Sequence, residues 1–280
     1  MKTCTIRAVA LAAFLSVGSP AFASGAAKAV LQNLTISIGQ ISTQAGAPAA
    51  SIQFNAPAGD GSSAYNFETA SIPLSSTTQA SIMDKPFESN SVSGAIPNAF
   101  GTAFVTGDPF QGEGLAHAES HATSVVGAQV TSTSAASPTG SSTTFTLGPN
   151  TYLDITATAI LSAGLSVDTG DWYDFSDALA ELYVTGINGP TSQSSESYAA
   201  AWSESLYGAF SGVPSLTEDL EVTFFGSRTG TTSGVFIAVA ASEVDSFNSN
   251  TAAVPEPATA AFLLVGLAAM SLAARRRGGA

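Results

Sequence analysis

The chain of 280 residues has a single cysteine, Cys4, and it lies among the first few residues. Everything after it is without a disulfide, a thiolate metal site or a cysteine nucleophile. Charge is scarce as well, at 10% of residues, and basic charge is scarcer still, with eight Lys and Arg in all. Five of those eight sit at the two ends, as Lys2, Arg7, Arg275, Arg276 and Arg277. The stretch from Ser24 to Glu256 keeps three basic residues against all 21 acidic ones, a net charge of −18. Such a surface repels phosphate backbones and anionic headgroups, which excludes nucleic acid as a partner. The sequence also has no G-x-S-x-G elbow, no phosphate loop and no dinucleotide fingerprint, and nothing singles out a carboxylate pair for glycoside hydrolysis. No catalytic residue is therefore assigned, and the expectation is that the chain is not an enzyme.

What is present is concentrated at the ends. Lys2 and Arg7 precede an apolar stretch over 8–17, too short to cross a bilayer, and Ala21-Phe22-Ala23 follows it. A basic start, a short apolar run and an A-x-A site make a secretory signal. Cleavage between Ala23 and Ser24 would make Ser24 the first mature residue, with the Sec machinery and signal peptidase as partners. At the other end, 258–274 is an uncharged run of 17 residues followed directly by Arg275, Arg276 and Arg277. As a helix it is about 26 Å long, just enough for the hydrocarbon core. The arginines act as a membrane stop signal and stay cytoplasmic, so the acidic body faces outward.

Immediately before this span lies Val254-Pro255-Glu256-Pro257. Two prolines around one glutamate keep the segment extended and free of helical hydrogen bonds, the form in which a processing enzyme takes a substrate. The order Pro-Glu-Pro, short apolar helix, arginine cluster resembles the tail of the PEP-CTERM proteins of Gram-negative bacteria. The resemblance implies a membrane partner, exosortase, which takes the tail as its substrate and releases or transfers the body to the surface. It implies transient anchoring in the inner membrane, then a cell-surface or extracellular location.

Between the ends, 24–253 reads as one secreted all-β body. Period-two alternation marks strands at Leu34–Ile38, Ala103–Val105, Phe145–Leu147, Leu153–Ala159, Leu220–Phe225 and Val235–Ala241. Turn-rich stretches at 58–61, 148–150 and 188–190 separate them, and no long amphipathic helix is evident. Short strands with frequent turns predict a β-sandwich, jelly-roll-like in type. Tyr198–Phe210 fits a helical stripe and a strand face equally; its neighbours favour the strand, with Tyr198, Ala200 and Trp202 on one side. The low-complexity stretch Thr131–Thr144 is expected to be an exposed loop. Phe145-Thr146-Leu147-Gly148-Pro149-Asn150-Thr151 resembles an element common in PEP-CTERM bodies.

Three groups of side chains invite chemistry. His117 and His121, the only histidines, flank Glu119 in HAESH. On a helix the two rings would come within about 6 Å and could share an ion. On a strand they stand about 13 Å apart with Glu119 on the same face. The expectation is a set of solvent-exposed polar residues without metal. Asp168, Asp171, Asp174 and Asp177 recur every third residue and are the best calcium candidate, although the spacing is not that of an EF-hand. Otherwise no cofactor is expected. Trp172 with Tyr173, or Trp202 with Tyr207, could stack on sugar rings. The leading expectation is a structural or adhesive surface protein of biofilm, matrix or exopolysaccharide. A carbohydrate-binding module is the alternative, and a secreted polysaccharide hydrolase the third reading.

Overall fold

A computed structural model describes residues 24–55, 61–71, 73–123, 127–140, 143–166, 173–188, 191–206 and 209–247. Signal residues Ala21 and Ala23, the tail 254–257, the span 258–274 and Arg275–Arg277 lie outside the described residues. Among those described, no helix is long and apolar enough to cross a membrane.

The body is all-β and every strand pairing in it is antiparallel. Strands β1 (Ser24–Gln40), β2 (Ile52–Asn55), β3 (Ser63–Ser71), β4 (Leu74–Ile82), β5 (Asn90–Ile96), β6 (Ala99–Thr106) and β7 (Gly114–Thr123) form the first half of the chain. Then follow β8 (Gln129–Ser137), β9 (Thr144–Leu147), β10 (Thr151–Ser166), β11 (Tyr173–Asn188) and β12 (Thr191–Leu206). The last three are β13 (Ala209–Val213), β14 (Ser215–Phe225) and β15 (Thr232–Phe247). One sheet runs β14-β10-β1-β7-β6-β5 and the other β13-β12-β11-β15-β8-β3-β4, with β2 and β9 continuing the second beside β15. Fifteen strands among the described residues is more than the eight of a jelly roll.

Alternation decides which side of each strand turns inward. In β10, Leu153, Ile155, Ala157, Ala159, Leu161 and Ala163 are buried while the residues between them look out. Leu182, Val184, Phe236, Phe224 and Phe145 meet them from the facing strands in one large apolar cluster. Strand β1 lies between β10 and β7, and Asn33 (φ 54°) marks a bulge where both ladders shift register.

Every strand expected from alternation is found, and Tyr198, Ala200 and Trp202 do share a strand face. The expected loop over Thr131–Thr144 is a correction. Its first half, Thr131–Ser137, belongs to β8, an interior strand held between β15 and β3. Serine and threonine are acceptable there because the inward Ser132 and Ser134 hydroxyls donate to backbone carbonyls of the opposite sheet, Phe100 and Glu119, both at 2.9 Å. Low complexity here is small-residue packing.

The Phe145–Thr151 element ties one end of the body together. Phe145 and Leu147 are buried, and Asn150 adopts the left-handed conformation at φ 59°. Its Oδ1 accepts from Ser42 N at 2.7 Å, and its Nδ2 donates to the carbonyls of Ser42 and Pro48. Asn is suited to this place because its short amide tolerates positive φ and bonds locally.

The first and last described strands reach the same pole. Ser24 pairs with Ser166 and Thr123, and a Cβ at Gly25 would collide with Val244 near the end of β15. Asp174 Oδ1 accepts from Ser246 Oγ at 2.8 Å and from Phe247 N at 3.1 Å, fixing the end of β15. Ser24 and Phe247 thus share one pole, the terminal pole; Asn150 lies at the other, far pole.

Candidate functional site

Three surfaces carry the side chains singled out in the sequence. On the outer face of the six-stranded sheet, HAESH is strand, within β7. Alternation sends Ala116, Ala118, Ser120 and Ala122 inward, leaving His117, Glu119 and His121 in a row outside. The Glu119 carboxylate bridges both rings, Oε2 to His117 Nε2 at 3.2 Å and Oε1 to His121 Nε2 at 2.7 Å. Cross-strand register then places Phe100 opposite His121 and Phe104 opposite His117. Both pairs stack, with centroids 4.1 and 4.5 Å apart. On the other side, Lys28 of β1 stands opposite Glu119.

This overturns the expectation of solvent-exposed polar residues, since His117 is only 9% exposed. Burial, reinforced by Lys28, holds the His117 imidazole below its ordinary range despite the hydrogen bond it makes to the Glu119 carboxylate. Burial also works against the Glu119 charge. The hydrogen bond and charge of His121, the bond to His117 and Lys28 outweigh it and hold the carboxyl below the usual glutamate range. The row is an internally satisfied ladder. Among the described residues no group of three or more His, Cys, Asp or Glu side chains is placed to hold a metal ion. The phenylalanine partners were missed because each is singly placed in sequence; only their register on β6 makes them a pair of lids.

The aspartate series separates. Asp168 and Asp171 lie outside the described residues. Asp174 and Asp177 are three apart on β11, so they face opposite sides of the sheet. Asp174 is buried between the sheets, its carboxyl pushed up by burial against the bonds from Ser246 and Phe247. Asp177 looks outward. The two cannot share one calcium ion, so the four aspartates do not form a single site.

Asp177 belongs instead to a grid on the outer face of the nine-stranded sheet. Strand register sets it between Trp202 of β12 and Glu243 of β15. Glu181 stands opposite Tyr198, and Asp245 lies two residues along from Glu243. Burial raises Asp177, Glu181 and Glu243 above the usual carboxylate range; Glu196 adds to this at Glu181, and Asp245 and Asp177 at Glu243. Tyr198 is 63% and Trp202 36% exposed. Four residues apart on a strand, their rings are spaced about 13 Å along it. Trp172 and Tyr207 lie outside the described residues, as does the side chain of Tyr173. Flat apolar rings beside hydrogen-bonding carboxylates are chemically suited to hydroxylated ligands.

A groove of about 840 Å³ opens at the terminal pole, between the start of β1, the β5–β6 turn and the end of β10, with Phe100 and His121 on its wall. Its lining is mostly small and apolar residues.

Residues 253–277 match the PEP-CTERM protein-sorting motif. The chain carries a PEP-CTERM sorting motif. The match takes in Pro255-Glu256-Pro257, the apolar run and all three arginines, and it marks an exported protein addressed to exosortase. No curated protein and no solved structure matches the chain. The PEP-CTERM motif thus speaks for the tail alone.

Proposed function

We propose that the chain is a structural or adhesive surface protein. The signal carries it across the inner membrane, the tail holds it there briefly, and exosortase releases it into an exopolysaccharide-containing matrix. The observation that carries this reading is the PEP-CTERM motif at 253–277 on a body with a strong acidic excess. The shared position of Ser24 and Phe247 supports it, because a body whose two ends leave from one pole can stand on a membrane with the opposite pole outward. The fold would be a sandwich serving as a passive block, without catalysis.

A second reading is favoured by the Trp202–Asp177–Glu243 row. On that reading the outer face of the nine-stranded sheet binds a glycan of the matrix, by stacking on Trp202 and Tyr198 with hydrogen bonds to the carboxylates.

One experiment addresses both. Surface material from cells making the full precursor is fractionated and its C-terminus mapped by mass spectrometry. A chain ending near Pro255–Pro257 is expected; a chain ending at Ala280 in the outer fraction overturns the processing claim. Retention of the released chain on the matrix polysaccharide is measured in parallel for wild type and Trp202→Ala. Equal retention removes the glycan-face reading.

A further inference from the structure

Five strands end the two sheets, β14, β5, β13, β4 and the four-residue β2, and they are not equally defended. An open edge presents unpaired N–H and C=O groups to any other strand, and charge, brevity or irregular backbone normally blunts it. Edge strand β14 carries Glu218, Asp219 and Glu221. Edge β13 is five residues long with Gly212 at φ 135°. Edge β5 has seven residues, and its exposed positions are Ser91, Ser93 and Ala95. Edge β4 is different: nine residues, LSSTTQASI, with no charge, proline or glycine. Leu74 at one end is 88% exposed and Ile82 at the other 54%.

We propose that β4 is a self-pairing edge, and that its partner is β4 of a second copy, antiparallel and centred on Thr78. This deepens the structural reading above by naming a partner for the body. The strand is self-complementary. Leu74 and Ile82 are both four residues from Thr78, so the two-fold pairing sets each Leu74 beside the other copy's Ile82. Register with β3 puts Leu74, Thr78 and Ile82 on the same outer face as Tyr65 and Phe67. The pairing therefore joins two such faces into one continuous apolar-bordered surface. Electrostatics chooses the place too. Bodies with so large an acidic excess repel one another over most approaches, and β4 is the long edge without a carboxylate.

Direction follows from topology. The β3–β4 turn lies at the terminal pole, because Ala70 pairs with Val130 and Val130 with Ser246. Antiparallel pairing thus points the two terminal poles in opposite directions. It can join bodies released from the membrane, or bodies on facing cell surfaces. Neighbours still anchored side by side in one membrane are excluded.

The exported chain has no cysteine beyond the signal, so single cysteines report the register directly. Thr78→Cys and Leu74→Cys are made in the full precursor, exported, and treated with a short bismaleimide. Thr78 meets its own copy, whereas the two Leu74 residues stand about 27 Å apart along the antiparallel ladder. At least tenfold more covalent dimer is expected from Thr78→Cys. Equal linking at both positions means parallel pairing or random collision and overturns the proposal. So does a wild-type chain that sediments as a monomer at about 100 µM. Thr78→Lys should abolish the dimer and melt as wild type does when diluted to the monomer; persistence of the dimer overturns the edge as its cause. A monomer would leave the processed C-terminus untouched, so failure here is distinct from failure of the sorting reading.

Discussion

The two ends of the space between the sheets are built from different chemistry. Toward the far pole, Phe145, Phe224, Phe236, Leu147, Leu153 and Leu182 are fully buried and pack on one another, Phe145 edge-on to Phe224 at 5.3 Å. Toward the terminal pole the apolar content falls to Ala27, Ala70, Ala99, Ala122, Val130 and Val244. Serines take over there, and they reach across the gap. Ser176 Oγ donates to Ala26 O, Ser203 Oγ to Ala163 O, Ser120 Oγ to Ser242 O and Ser132 Oγ to Phe100 O, at 2.6 to 3.0 Å. A side chain as short as serine can bond the opposite backbone only where the sheets approach more closely than the usual 10 Å or so. One end is therefore held apart and filled by large side chains. The other is drawn together by hydroxyl-to-carbonyl bonds.

Each end should fail in its own way. The largest effect is expected at the far pole, where Phe224→Ala removes a fully buried ring from the middle of the cluster. Lost transfer energy and the cavity left behind together cost about 3–5 kcal/mol, read as a drop in the denaturant midpoint. A loss below 1 kcal/mol would mean that the cluster collapses onto the gap, and that the two ends differ less than their composition suggests.

The next effect lies at the terminal pole and depends on pH. Glu68 of β3 is buried, and neither carboxylate oxygen has a hydrogen-bond partner. Gly94 and Gly101, opposite each other on β5 and β6, make its room; a Cβ on Gly94 would collide with Glu68 Oε2. Burial raises its pKa from 4.5 to about 7. Well below pH 4.5 the group is neutral in folded and unfolded chains alike and adds no pH-dependent cost. As pH rises to 7 the unfolded chain ionises more readily than the folded one, so stability is lost, and the loss is complete above pH 7. At 1.36 kcal/mol per unit this amounts to about 3 kcal/mol. Asp174, Asp177, Glu181 and Glu243 are raised as well and push in the same direction. Comparing wild type with Glu68→Gln isolates the one group. Glu68→Gln should match wild type near pH 4 and melt about 5–10 °C higher near pH 8. Parallel melting profiles from pH 4 to 8 would show that Glu68 finds a partner when charged.

How much of this was legible in sequence also divides between the two ends. The far pole follows from period-two apolar strands such as Leu153–Ala159 and Val235–Ala241, because a large alternating side chain declares its face. The terminal pole does not. Thr131–Thr144 gives no alternation on a hydrophobicity scale, since its inward Ser132 and Ser134 are as polar as its outward threonines, and such a stretch reads as a loop. Glu68 and its two glycines are 26 and 33 residues apart, and nothing local links them. The HAESH row was legible as a strand alternative but not its burial, which depends on Phe100 and Phe104 arriving from β6. The aspartate period of three suggested one site, yet on a strand an odd spacing divides residues between faces. The sorting motif was fully legible, because an address must be read from an extended segment and needs no fold.

The smallest expected effect tests what draws the sheets together. Ser134 Oγ donates to Glu119 O at 2.9 Å and sits where a Cβ on Gly101 would fall. Ser134→Ala keeps the size of the side chain nearly unchanged and removes only the donor. The Glu119 carbonyl lies in a strand paired on both sides, so the loss should be that of one ordinary hydrogen bond, about 1 kcal/mol. If close approach depends on the hydroxyls, Ser132→Ala should cost about the same, and the double variant should cost about the sum or more. If it depends on small size, both alanine variants should be near neutral, while Ser134→Val, with its added bulk against Gly101, destabilises by 1 kcal/mol or more. Chemical denaturation of the four variants separates these cases. Near-neutral alanines would make the terminal pole a second packed core with smaller parts, and the contrast with the phenylalanine cluster would then be one of side-chain volume.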